Sequence, residues 1–100
     1  MNNDIRIFSE LPGVSRAFIF GSKIETKFPN DIDVLLYSES GINPDLRTAG
    51  LSLPVGRIQY NCYKKREDSN NSLSYDIVVV NDPIVLEKFL QFNKGKISEC

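Results

Sequence analysis

The sequence predicts an α/β (α+β) fold in which a small mixed β-sheet carries flanking helices. Short apolar or alternating runs at 17–20, 31–37, 57–63 and 73–80 have the character of strands. Segments near both ends of the chain space their apolar residues as helices do. The length of 100 residues allows one modest domain with one core, spanning 1–100, and little else.

Residues 4–11 place Ile5, Phe8 and Leu11 at helical spacing, and Pro12-Gly13 ends that run. Ala17-Phe18-Ile19-Phe20 reads as a buried strand. Ser22 to Lys27 fits one or two helical turns, and Phe28-Pro29-Asn30 turns the chain into the strand 31–37. Asn43-Pro44 marks a helix start, a capping side chain followed by proline at the first helical position, and Pro54 closes the short helix expected there. Residues 57–63 alternate as a half-buried strand does, which puts Cys62 in mid-strand. The polar segment 64–72 is expected to be a loop joining that strand to 73–80 as a long hairpin. Asp82-Pro83 opens a last helix whose inner face carries Val85, Leu86, Phe89 and Leu90, and Gly95 ends it.

Composition removes several classes of function. Hydrophobic residues make up 41% and charged residues 25%, ordinary for a soluble globular protein. A net charge of −1 gives no bulk attraction to nucleic acid or membrane. The basic run Lys64-Lys65-Arg66 is followed at once by Glu67-Asp68 and reads as a solvated loop, so nucleic acid is not an expected partner. No apolar run is long enough to span a bilayer, and Met1-Asn2-Asn3-Asp4 does not open a signal peptide. Cys62 and Cys100 make no disulfide framework, so the expectation is a cytoplasmic protein with reduced thiols. Histidine is absent altogether. Ser-His and Cys-His catalysis and histidine metal sites are therefore excluded, leaving carboxylates as the candidate catalytic groups.

Asp31 and Asp33 are two apart in a strand, so their side chains point to the same face while Ile32 and Val34 point to the other. Carboxylates about 7 Å apart along the backbone repel one another, and partial burial raises the cost unless a cation is bound. Magnesium suits such a place, since it takes oxygen ligands from one or two carboxylates together with substrate phosphates. Asp31, after Pro29-Asn30, also fits a simple turn residue. Asp33 does not, because it interrupts Ile-Asp-Val-Leu-Leu, where a strand favours apolar or β-branched residues. Asp76 is a third acid within an apolar strand, Tyr75-Asp76-Ile77-Val78-Val79-Val80. If that strand lies beside 31–37, the three acids can gather around two metals about 3.5–4 Å apart. The rival is that Asp76 sits at a solvent-exposed strand start, after the polar Ser72 and Ser74.

Upstream, Gly21 allows a sharp turn and a close approach to a ligand. Ser22 follows at the start of a short helix whose free N–H groups favour phosphate, and Lys23 and Lys27 add positive charge. Ser22-Lys23-Ile24-Glu25 equally fits a capping box that merely ties off the helix end. It is not a Walker-type loop, because G-x-x-x-x-G-K-[ST] is absent.

Phe20-Gly21-Ser22, eight further residues, Asp31-Ile32-Asp33 and a later strand acid together resemble the signature of the nucleotidyltransferase superfamily that includes DNA polymerase β. The nearest likeness is to the small bacterial and archaeal minimal nucleotidyltransferases, whose catalytic domains are about the length of this chain. It is specific over 17–37, loose over 73–90 and not evident over 41–72. The resemblance implies a nucleotidyltransferase-like fold, with Gly21, Ser22 and Lys23 at the nucleotide phosphates. It also implies Asp31, Asp33 and Asp76 as catalytic and metal-binding residues, two magnesium ions, and ATP or another nucleoside triphosphate as substrate. A nucleoside monophosphate would pass to an acceptor hydroxyl with loss of pyrophosphate.

Departures from the family pattern bear on what is retained. Ile24 and Glu25 stand where many relatives have a small and then a basic residue, and Asn30 replaces a common serine. Larger relatives carry a helical region for base and acceptor, which has no counterpart here. Relatives of this size are often paired with a helical HEPN-type protein, in some cases as an antitoxin that adenylylates it. Two expectations follow: a magnesium-dependent nucleotidyltransferase with such a partner, and a catalytically degenerate module of the same fold that acts by protein contact.

Overall fold

A strand that is apolar on both faces needs cover on both faces, and the chain supplies it with one helix on each side of a five-stranded sheet. The structure, a computed structural model, describes residues 3–20, 31–41, 43–48, 50–51, 54–63 and 74–99. In chain order the elements are α1 (Asn3–Ser9), β1 (Arg16–Phe20), β2 (Asp31–Tyr37), a 3-10 turn (Leu46–Thr48), β3 (Val55–Tyr60), β4 (Ser74–Val80), α2 (Pro83–Phe92) and β5 (Ile97–Glu99). The strands lie in the order β3-β4-β2-β1-β5. β4 is parallel to both of its neighbours, whereas β1 is antiparallel to β2 and to β5, so the sheet is mixed as expected.

Alternation divides the apolar residues into two cores. Phe8 and Leu11 pack with Ala17, Val34, Leu36, Tyr75, Ile77 and Val79 on the α1 side. Leu86 and Phe89 of α2 pack with Phe18, Phe20, Leu35, Tyr37, Val78 and Val80 on the other. Ring pairs pin each helix: Phe8 meets Tyr75 edge-on at 5.1 Å, and Phe20 meets Phe89 at 4.7 Å. α2 starts where expected, with the Asp82 carboxylate accepting from the Ile84 N–H at 2.9 Å and Pro83 in the first turn.

Four expectations need correction. The helix expected after Asn43-Pro44 is reduced to the turn Leu46–Thr48 among the described residues, because Asp45 Oδ1 captures the Arg47 N–H and competes with a helical ladder. The strand expected at 57–63 runs instead over Val55–Tyr60, since Asn61 adopts a left-handed φ of 51° and leaves the sheet. Cys62 consequently lies beyond the strand, packed against the α2-side core. β3 and β4 do not form a hairpin; they are parallel. Positions 61–73 supply the dozen or more residues a parallel crossover requires, and every residue of β4 is buried, as a strand in the middle of a parallel set should be. Residues 64–72, expected as the hairpin loop, lie outside the described residues, as do 22–27, expected as one or two helical turns.

The last helix ends at Phe92 with Asn93 as its cap, earlier than the sequence suggested. Gly95, at φ 84°, makes the turn into β5, a strand the sequence pattern did not reveal. β5 is clipped to β1 by a fork in which Arg16 Nε and Nη2 donate to Glu99 Oε2 and Oε1, each at 2.9 Å. At the opposite edge Asn61 and Asn81 bind each other through side chain and backbone, tying the exits of β3 and β4 together.

Candidate functional site

Alternation along β2 puts Asp33 on the face of Leu35 and Tyr37, and along β4 it puts Asp76 on the face of Val78 and Val80. Both are therefore on the α2 side of the sheet. Asp33 and Asp76 are register partners on adjacent parallel strands, so they stand side by side, about 4.8 Å apart in backbone spacing. They are 5% and 8% exposed. The rival reading of Asp76 as a solvent-facing strand start is thereby set aside, since Ser74 before it is only 2% exposed.

The row extends to both sides. Phe20, the residue before Gly21, is opposite Asp33 on β1, and Arg57 is opposite Asp76 on β3. Arg57 reaches that register through a bulge: Val55 pairs with Tyr75 and Arg57 with the very next residue, Asp76, leaving Gly56 as the extra one. A Cβ at position 56 would collide with Ser74 Oγ, lie 3.0 Å from Asp76 Oδ1 and lie 3.2 Å from Ser74 Cβ. Ser74 Oγ is itself buried and has no hydrogen-bond partner among the described residues.

Two carboxylates on neighbouring strands repel when both are ionised, and burial adds desolvation. Among the described residues, Arg57 brings a positive charge to the same row. The side chains that share this face on β2 and β4, Asp33, Asp76 and Ser74, carry only oxygen donors, which is the chemistry of a hard divalent cation such as magnesium.

Asp31 opens β2 with Ser74 as its register partner, so the third expected acid has its backbone next to the pair. Its side chain, and the whole of Gly21, Ser22 and Lys23, lie outside the described residues. Among the described residues no group of three or more His, Cys, Asp or Glu is gathered for a metal. Arg57, Ser74 and Gly56 were not singled out from the sequence. The signals were present: an isolated glycine at the start of a strand pattern marks a bulge, and a serine two before Asp76 must share its face. An open groove of about 460 Å³, lined by Asn43, Pro44, Asp45, Leu46, Arg47 and Ile58, lies on the α1 side of β3, away from the acids.

No family model, no curated protein and no solved structure matches the chain.

Proposed function

We propose that the chain is a magnesium-dependent nucleotidyltransferase with a nucleotidyltransferase-like fold, moving a nucleoside monophosphate, AMP from ATP, to a hydroxyl of a protein or small molecule. One observation carries the reading: Asp33 and Asp76, distant in sequence, are buried side by side on one face of the sheet. Burying two like charges is costly, and a site that binds a divalent cation and a nucleotide triphosphate gives that cost a use. Asp31, Asp33 and Asp76 would hold magnesium, two ions by the resemblance, while Gly21, Ser22 and Lys23 would hold the phosphates. Bound magnesium would neutralise charge on the phosphates and lower the pKa of the acceptor hydroxyl. Asp76 would orient that hydroxyl and take its proton as the oxygen bonds to the α-phosphorus and pyrophosphate departs. The acceptor surface would come from a helical HEPN-type partner, with the chain as its antitoxin.

Labelled ATP, magnesium and the partner should give label transfer that Asp33→Ala abolishes. Undiminished transfer by the variant would sink the assignment.

A second reading, a degenerate module that works by contact, is favoured by Arg57, because a resident cation beside Asp76 offsets charge without a metal. It requires partner neutralisation to survive Asp31→Ala combined with Asp33→Ala. Neutralisation lost while the complex still forms would exclude it.

A further inference from the structure

We infer that Arg57 is the built-in counter-ion of the acid row and competes with an incoming divalent cation for Asp76; this rests on reading Asp33 and Asp76 as a cation site. Three features lead there. First, the bulge at Gly56 returns residue 57 to the face of Asp76, so the arginine is placed by backbone geometry. Second, Arg57 is half-buried between exposed Gly56 and Ile58, with its Nη1 fully enclosed, so its charge is directed inward rather than to solvent. Third, Ser74 Oγ, buried and without a hydrogen-bond partner among the described residues, and Asp76 Oδ1 both lie close against Gly56, so the bulge brings β3 hard against the acid.

Arg57 therefore acts through Asp76 as a positioning residue. It offsets part of the charge of the metal-free row and favours assembly of the sheet without a cation. A divalent ion entering beside Asp76 meets a fixed positive charge, and its affinity is lowered accordingly.

The probe is Mn2+ alone, titrated by calorimetry and electron paramagnetic resonance, with thermal melts in EDTA and in Mn2+. Arg57→Gln should bind Mn2+ more tightly than the native protein, by at least about tenfold. It should melt lower in EDTA and recover in Mn2+. Equal or weaker Mn2+ binding by Arg57→Gln overturns the inference, since a purely structural arginine would lower the melting point without tightening the metal. Should that variant fail to fold in either medium, Arg57→Met decides, because it keeps an unbranched stem of similar reach and removes the charge. Tighter Mn2+ binding supports the competition, and unchanged or weaker binding refutes it. Saturable Mn2+ binding in no variant would overturn the cation site and the proposed function together, whereas binding indifferent to residue 57 would overturn the competition alone.

Discussion

Gly56→Ala is the smallest change that tests the site's construction. The added methyl has no free space: it falls on Ser74 Oγ, with Asp76 Oδ1 at 3.0 Å and Ser74 Cβ at 3.2 Å. Overpacking of this kind costs about 1–3 kcal/mol. For a chain of this length each kcal/mol lowers the melting point by about 4–8 °C. Ser74→Ala on its own removes a buried hydroxyl without a partner among the described residues, so it should be neutral or stabilising. In the double variant the worst collision disappears and the remaining contacts are merely tight. The coupling should thus be favourable by about 1 kcal/mol or more. Urea melts of the four proteins complete the cycle. A Gly56→Ala variant as stable as the native chain, or a double variant whose losses simply add, would refute the close approach of β3 to Ser74 and Asp76.

Glu99→Gln should cost about 0.2–1 kcal/mol at neutral pH, a range set by solvent screening because the Arg16 and Glu99 side chains are 44% and 46% exposed. The hydrogen bond from Arg16 holds the Glu99 carboxyl below its ordinary 4.5, so its contribution is present above that value and disappears as pH falls through the folded pKa. Denaturant melts should show the native and variant proteins converging in acid, and a gap that widens there would contradict this account. Phe89→Ala, fully buried against Phe20, should lose about 3–5 kcal/mol. Ile84→Ala, 64% exposed on the same helix, should stay within about 0.5 kcal/mol in the same melts.

Local chemistry made much of the architecture legible. Asp31–Tyr37 was read to its exact bounds because Asn30 and Ser38 frame a run that no helix period fits, and α2 announced itself through Asp82-Pro83. What was not legible was pairing. Parallel β3 and β4 could not be told from a hairpin, since alternation within a strand carries no information on the direction of its neighbour. β5 escaped because three residues are too few for a period, and its placement depends on Arg16, far away in sequence. The acids show the same division. Asp33 stood out as a charge inside an apolar strand, but its pairing with Asp76, and the arrival of Arg57 through a bulge, are facts of register that appear only once the sheet is assembled.

β4 joins two parts of the sheet that are not otherwise paired among the described residues, with β2, β1 and β5 on one side and β3 on the other. Its insertion closes long loops and so belongs among the slower steps of assembly. The acid row is consequently a property of the finished sheet alone. Partly folded molecules with β4 displaced lack the Asp33–Asp76 pair, so binding of a ligand that needs both carboxylates would report on completed folding as directly as on chemistry.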